Sequence, residues 1–142
     1  MANIRLSIVV NVPAEQVFPL VAAAHGFTRW WAADVTEMNG NVDLGFFKRS
    51  TVYRLKLAKV QPPLQAEWQC VSGHEWNGTR IVFELVRDGD KTLLRFTHAD
   101  WNAETDYFVL CTTTWGELMY RLKATAEGKS PGPLFSADGM AY

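Results

Sequence analysis

The sequence predicts an α+β fold in which one antiparallel sheet curls around a long C-terminal helix. Apolar and polar residues alternate along most of the chain up to Trp101, which is typical of half-buried strands. After Trp101 the apolar residues recur every three or four positions, which indicates a helix. Because that helix is the only element long enough to cover the apolar face of the sheet, the sheet is expected to bend around it.

The first strand and two short helices open the chain. The strand is indicated by alternating apolar residues at Ile4, Leu6, Ile8 and Val10. Pro13 suits the first turn of a helix, and Pro19 predicts a kink or an early break in it. Gly26 is expected to end that helix as a left-handed cap. The stretch "FTRWW" then has the spacing of a second short helix.

About six further strands are predicted between residue 34 and Trp101. Asn39-Gly40 is a strong hairpin signal, and Pro62-Pro63 marks a turn. The apolar positions expected to face inward are Tyr53, Leu55, Leu57, Ala66, Trp68, Cys70, Ile81, Phe83, Leu85, Leu94 and Phe96.

The long helix is expected between Asp106 and Ala126. Its apolar stripe comprises Phe108, Cys111, Trp115, Leu118, Met119 and Leu122. Gly128, Pro131 and Gly132 predict its end and an irregular tail from about residue 128. Residues 1–142 are expected to form a single domain, since this length is close to the commonest domain size.

Composition excludes several classes of protein. Fourteen Lys and Arg against fifteen Asp and Glu give a net charge of -1, and no basic run suits a nucleic acid. No apolar segment has the length of a membrane span, and the start of the chain lacks a secretory leader. We therefore expect a cytoplasmic protein with reduced cysteines at Cys70 and Cys111. Six tryptophans make an internal cavity more plausible than in a Leu/Val core, although composition alone favours a filled aromatic core.

Several stretches together resemble a known family. They are "IVVNVPAEQVFPLVA", "RWWAADV", "AEWQC", "EWNGTRIVFEL", "LLRFTHADW" and "TTWGELMYRLKATAEGKSP". Over about residues 3 to 130 the chain resembles the START-like (SRPBCC) superfamily, in particular the branch named for the activator of the Hsp90 ATPase. The resemblance implies the helix-grip fold, also called START/Bet v 1-like, with two short helices after strand 1. That fold hosts carriers, receptors, cyclases and co-chaperone domains, so it does not fix an activity.

The resemblance also implies a cavity between the C-terminal helix and the concave face of the sheet, used for an apolar or aromatic small molecule. The positions that would face it are Trp31 near the entrance, then Tyr53, Trp68, Phe83, Phe96 and His98 on the sheet, and Cys111, Trp115, Leu118 and Met119 on the helix.

His98 and Cys111 are the candidates for polar chemistry. His98 shares the apolar face of its strand, where it could orient a ligand or move a proton, although a core histidine with a satisfied hydrogen bond is the favoured interpretation. Asp100 could orient the ring or simply belong to the following loop. Cys111 with His98 would form a thiol and imidazole pair, but no oxyanion donor is recognisable and such a cysteine is usually a small apolar residue.

No metal or cofactor site is predicted. His25, His74 and His98 lie on different elements, no CxxC occurs, and the "DGD" and "NGN" stretches are turns rather than phosphate loops.

Three functions remain open at this point. The first is binding of a small apolar or aromatic ligand, oriented by His98 and Tyr53. The second is a cyclase- or hydrolase-like enzyme that uses the same cavity and requires a shifted pKa at His98. The third is a co-chaperone-like module that binds a partner protein, with homodimerisation equally open. The ligand itself is not encoded in any motif.

Overall fold

The computed structural model describes residues 1–142. The elements are β1 (Ala2–Val10), α1 (Ala14–Val21), α2 (Ala24–Phe27), β2 (Asp34–Met38), β3 (Asn41–Phe46), β4 (Thr51–Gln61), β5 (Gln65–Cys70), β6 (Arg80–Asp88), β7 (Lys91–Trp101), α3 (Asp106–Ala126), β8 (Phe135–Ser136) and β9 (Gly139–Met140). The predicted order of one strand, two short helices, six strands and a long helix is confirmed, but α2 occupies Ala24–Phe27, and residues 28–31, predicted to be helical, form turns. None of the helices combines the length and the apolar character that crossing a bilayer requires.

Strands β1 to β7 form one antiparallel sheet in the order β1-β7-β6-β5-β4-β3-β2. Residues directly opposite one another share a face, and the row Ile4, His98, Ile81 and Trp68 runs across four neighbouring strands. All four side chains in this row are buried. The buried stripe of α3 covers this face of the sheet, which is the helix-grip fold.

The hairpin predicted at Asn39-Gly40 joins β2 to β3. Asn39 has φ 54° and Gly40 has φ 81°. A two-residue turn with positive φ at both positions matches the twist of the flanking strands, and Asn and Gly adopt that conformation at the least cost. The sequence prediction is therefore confirmed at this turn.

Helix α1 does not break at Pro19, since it continues through the proline and ends two residues later at Val21. A proline removes the hydrogen bond to the carbonyl four residues earlier, which here belongs to Glu15. Glu15 and Pro19 are both exposed, so that carbonyl lies on the solvent side of the helix. Water can then satisfy it, and the helix tolerates the proline.

Gly26 is not a left-handed cap. It lies inside α2 and is buried, and its φ is not positive. A Cβ at this position would collide with the carbonyl oxygen of Pro19 and lie 2.7 Å from Leu20 Cα. The glycine therefore allows α2 to lie directly against the backbone of α1.

Asp100 interrupts the alternation at the end of β7. It has φ 72°, and the pairing with β1 shifts register between Ala2 and Ile4. The resulting bulge turns Asp100 outward and buries Trp101. The Asp100 carboxylate accepts a hydrogen bond from Arg80 Nε at 2.7 Å. The suggestion that Asp100 orients the His98 ring is therefore wrong.

The tail after α3 is not wholly irregular as predicted. Strands β8 and β9 form a small hairpin, and Leu134 just before it is fully buried. The Arg121 guanidinium donates to the carbonyl oxygens of Pro131 at 3.2 Å and Gly132 at 2.8 Å. These contacts hold the tail against α3 and bring it over one end of the sheet.

Candidate functional site

A cavity of about 320 Å³ lies between α3 and the end of the sheet formed by β3 and β4. It is lined by Trp31, Phe46, Phe47, Thr51, Tyr53, Trp76, Tyr107, Leu110, Cys111, Thr114, Trp115, Leu118, Phe135 and Met140. None of these side chains is charged. Three of the lining residues are also exposed to solvent, and they form the rim of the cavity: Phe47, Leu110 and Met140.

Helix α3 supplies one wall of the cavity. Tyr107, Cys111, Thr114, Trp115 and Leu118 follow one another at steps of three and four or lie next to each other, which places them on one face of the helix. Thr105 caps the helix by accepting a hydrogen bond from the backbone N–H of Phe108 at 3.2 Å. The cap fixes the first turn and therefore the position of Tyr107.

The opposite wall comes from β4 and the loop between β5 and β6. The ring of Tyr53 packs so close to Gly73, which has φ 103°, that a Cβ there would overlap it. The loop then places Trp76 on Tyr53, with ring centres 4.1 Å apart and planes 11° apart. Glycine is required at position 73 both for the backbone conformation and for this contact.

The C-terminal hairpin completes the enclosure. Phe135 N donates to the Trp31 carbonyl at 3.0 Å, and Ala33 N donates to the Phe135 carbonyl at 2.9 Å. The Phe135 ring meets Phe46 edge-on, with centres 5.0 Å apart. The tail is therefore tied to the chain at Trp31 and contributes Phe135 and Met140 to the cavity.

Two tyrosines, Tyr53 and Tyr107, bring polar groups to the cavity, and their hydroxyl groups are hydrogen-bonded to each other. Burial raises the pKa of Tyr53, against an opposing effect of the bond to Tyr107. Burial also raises the pKa of Tyr107, and the bond to Tyr53 adds to that rise. Both groups therefore stay protonated and neutral at physiological pH.

His98 lies outside the cavity, fully buried beneath the aromatic side chains. Its Nδ1 accepts from the Trp115 indole N–H at 3.1 Å. Its Nε2 lies 2.8 Å from Thr79 Oγ1, and that hydroxyl donates to the Trp76 carbonyl at 2.6 Å. Because an indole only donates, Nδ1 carries no proton and Nε2–H donates to Thr79. Both nitrogens are thus occupied in a neutral ring, and burial lowers its pKa to about 3.

The thiols show no sign of activation. Cys70 and Cys111 are free and buried. Burial raises the pKa of Cys70 to about 12 and also raises the pKa of Cys111, where the Trp76 indole and the Tyr107 hydroxyl act in the opposite direction. A nucleophilic cysteine needs a lowered pKa and an imidazole free to take its proton. The structure supplies neither for Cys111 and His98.

The residues that the resemblance places around a cavity fall into two groups. Those that line it are Trp31, Tyr53, Cys111, Trp115 and Leu118. Those that lie instead in the packed core are Trp68, Phe83, Phe96, His98 and Met119.

The part of the concave face formed by β5, β6 and β7 is filled because large rings interlock there. The Trp68 indole N–H donates to the Val21 carbonyl at 2.8 Å, and its ring lies 5.2 Å from Phe27. Phe96 packs between Phe83 at 5.5 Å and Trp115 at 4.4 Å. The cavity is therefore confined to the β3 and β4 end.

Sequence reasoning missed Phe46, Phe47, Thr51, Trp76, Tyr107, Leu110, Thr114, Phe135 and Met140. Tyr107 and Thr114 could have been found by extending the helical stripe one turn towards its start and by including its polar members. Trp76 lies in a loop, and nothing in the sequence fixes where that loop folds. The tail residues carry no periodic signal at all.

No three His, Cys, Asp or Glu side chains come together in a group that could hold a metal ion.

Comparison with known proteins gives a family and a set of similar structures. The family model described as Activator of Hsp90 ATPase homolog 1-like protein matches residues 11–127. The solution structure of the Aha1 dimer from Colwellia psychrerythraea is 26% identical, with a TM-score of 0.80 over 90% of this chain and 98% of that one. A search of curated proteins gave no significant match.

Two further solved structures share the fold at lower identity. CalU16 from Micromonospora echinospora is 20% identical, with a TM-score of 0.73 over 92% of this chain and 68% of that one. Protein SSP2350 from Staphylococcus saprophyticus is 15% identical, with a TM-score of 0.71 over 89% of this chain and 93% of that one. The family match spans most of the chain, from the end of β1 to the end of α3. The chain therefore belongs to the Activator of Hsp90 ATPase homolog 1-like protein family, a branch of the START-like (SRPBCC) superfamily with the helix-grip fold.

Proposed function

We propose that the protein binds a small apolar or aromatic molecule in the cavity between α3 and the β3 and β4 end of the sheet. The supporting observation is the cavity itself, about 320 Å³ lined by uncharged and mainly aromatic side chains. This volume lies at the lower end of the range for small-molecule sites, roughly 300–1,000 Å³. Such rings offer a ligand a large apolar contact area at little cost in conformational entropy.

The polar group that orients the ligand is the tyrosine pair and not His98. Tyr53 lines the cavity as expected, but its partner is Tyr107, and His98 lies behind the indoles of Trp76 and Trp115. The original hypothesis of His98 and Tyr53 as orienting groups is therefore revised to Tyr53 and Tyr107.

Filling the cavity tests this function. Thr114 lines the cavity on α3, while its neighbour Thr113 is exposed on the same helix. We expect Thr114→Trp to abolish the fluorescence enhancement of the neutral aromatic probe N-phenyl-1-naphthylamine, because the indole occupies the space. Thr113→Trp is the matched control and keeps the enhancement. If wild type and both variants enhance the probe equally, the probe binds elsewhere and the proposal fails.

Catalysis has less support, because a buried imidazole with a pKa of about 3 and both nitrogens engaged is not available as a general base. A co-chaperone-like role through the outer sheet also has less support. Charged cross-strand pairs cover that surface, among them Arg54 with Asp43 and Arg95 with Glu84. An apolar docking patch is what such a role would favour.

A homodimer is the assembly we favour. The solved structure from Colwellia psychrerythraea is a dimer, and α3 of this chain exposes Val109 and Tyr120 at 57% and 65% of their surface. Light scattering after gel filtration gives twice the chain mass of 16.0 kDa if the proposal is right. A mass of a single chain at micromolar concentration would rule it out.

A further inference from the structure

Building on the proposed function, we infer that the ligand is an uncharged, flat aromatic molecule with an oxygen that accepts a hydrogen bond from the Tyr53–Tyr107 pair. The inference names the chemical class that the cavity recognises. Three features of the cavity carry it: an unused donor, the absence of charge, and parallel rings.

The tyrosine pair has one hydroxyl proton that does not take part in the hydrogen bond between the two tyrosines. Two hydroxyls carry two protons, and only one can lie in the bond between Tyr53 and Tyr107. Neither hydroxyl makes another hydrogen bond to an oxygen or nitrogen of the protein. The other group beside Tyr107 is the Cys111 thiol, and sulfur is a weak acceptor. The second proton is therefore free to be donated into the cavity, where a buried donor is expected to find a partner.

Both hydroxyls remain protonated over the whole physiological pH range. Burial raises the pKa of Tyr53 and of Tyr107. A tyrosinate would accept a proton from a ligand hydroxyl, whereas the neutral pair offers one. The matching ligand group is an acceptor such as a ketone or quinone carbonyl.

The absence of charged side chains from the cavity lining argues against an ionised ligand. No Lys, Arg or His lines it, so a carboxylate or phosphate would lose its hydration without gaining a partner. The nearby charge that acts on Tyr53 and Cys111 is the carboxylate of Glu75, which would repel an anion. No carboxylate lines the cavity to pair with a cation either.

The aromatic wall favours a flat molecule. The Tyr53 and Trp76 planes are 11° apart, and the Trp76 and Trp115 planes are 17° apart. Rings in nearly parallel planes present aligned faces and edges, against which another flat ring gains contact area in one orientation. A saturated, branched molecule of the same volume cannot follow these planes.

A pair of matched probes separates the hydrogen bond from apolar contact. 2-Acetylnaphthalene carries the carbonyl, and 2-isopropylnaphthalene replaces it with a hydrocarbon of similar shape. Their Kd values are measured by quenching of tryptophan fluorescence in wild type and in the double variant Tyr53→Phe/Tyr107→Phe. We expect the Kd of the ketone to rise roughly three- to tenfold in the variant, as the loss of one hydrogen bond predicts, while the Kd of the hydrocarbon does not rise.

Tyr120→Phe is the matched control, since Tyr120 is an exposed tyrosine on the same helix. It is expected to change neither Kd. Thermal unfolding of each variant checks that it is folded, and Tyr53→Phe/Tyr107→Leu, which also lacks both hydroxyls, replaces the first double variant if that one does not fold. Tyr107 is only partly buried, so its substitution disturbs the core least.

The outcomes distinguish this inference from the proposed function. If ketone and hydrocarbon bind wild type but respond alike to the double variant, the hydrogen bond is absent and the inference is overturned while cavity binding stands. If 2-naphthoate or (2-naphthyl)trimethylammonium binds more tightly than the ketone, the ligand class is charged and the inference is again overturned. If no naphthalene probe binds wild type, both the proposed function and this inference fail.

Discussion

His98 shows how a single residue can suggest chemistry and serve structure. Its ring connects three parts of the fold, because it belongs to β7, bonds to Thr79 in the loop just before β6 and accepts from Trp115 on α3. A buried polar group left without partners costs roughly 1–3 kcal/mol. The histidine therefore fixes the orientation of Trp115, which in turn forms part of the cavity wall.

The burial of His98 predicts a dependence of stability on pH. Its pKa is about 3 in the folded protein against an ordinary value of 6.5, so the unfolded chain binds more protons between these values. The free energy of unfolding should fall as the pH decreases below about 6.5, with a slope approaching 1.4 kcal/mol per pH unit. Urea unfolding between pH 7 and pH 5 measures this slope above the range of the carboxylates.

The substitution His98→Gln should remove this contribution to the slope, although it also lowers overall stability. His74→Gln, at an exposed loop position, is the matched control and should keep the slope. A slope that is the same in His98→Gln and in wild type would show that another group carries the pH dependence.

At the scale of elements, the contact between α1 and α2 depends on the absence of a side chain at Gly26. We expect Gly26→Ala to destabilise the protein by about 1–3 kcal/mol, because its Cβ would overlap backbone atoms of α1 that cannot move independently. Gly116→Ala is the matched control, since Gly116 lies inside α3 with open space around it. That change should be neutral or stabilise by up to about 1 kcal/mol. Thermal unfolding compares the two, and equal effects would contradict the steric explanation.

The C-terminal hairpin contributes to the cavity from outside the part of the chain that the family model matches. It lies beyond residues 11–127, the part matched by the family model, yet it supplies Phe135 and Met140 to the lining. The size and rim of the cavity therefore depend on residues outside the family match. Relatives with another C-terminal sequence are expected to enclose a different volume.

Phe135→Ala tests this contribution. Removing the ring from Phe46 and from the cavity mouth should make the tryptophans more accessible to acrylamide and weaken binding of N-phenyl-1-naphthylamine several-fold. Ser136→Ala, one residue further and exposed, is the matched control. Unchanged quenching and affinity in Phe135→Ala would show that the hairpin does not enclose the site.

At the scale of the whole molecule, one part of the concave face of the sheet is packed and another part is hollow. The part formed by β5, β6 and β7 is filled by interlocking rings, and the part near β3 and β4 stays hollow beneath the hairpin. The same apolar cluster of 32 residues runs from Ile4 to Leu134 and joins both parts. The filled part can provide stability, so the hollow part can tolerate the cost of empty space.

This continuity predicts cooperative unfolding. Strand β1 pairs with β7, so the beginning of the chain is held by its later part. Urea unfolding followed by tryptophan fluorescence and by far-UV circular dichroism should give one coincident transition. Two separated transitions would mean that the tail or the hollow end unfolds on its own, against the expectation of a single domain over residues 1–142.

The sequence by itself determined the order of elements from β1 to α3, the inward faces of the strands and the stripe of α3, because these follow from local periodicity. It also determined the hairpin at Asn39-Gly40, since few residues adopt positive φ at two adjacent positions. The resemblance added a cavity and placed Trp31, Tyr53, Cys111, Trp115 and Leu118 in its lining, as the structure does.

Only the tertiary structure decided which part of the concave face is hollow. Trp68, Phe83, Phe96 and His98 point inward as their periodicity requires, but whether an inward side chain meets space or another ring depends on packing between distant segments. The pairing of Tyr53 with Tyr107, residues that are 54 positions apart, arises from the same packing. Periodicity is set by residues close together in the sequence, whereas a cavity is the space left unfilled where segments distant in the sequence pack together.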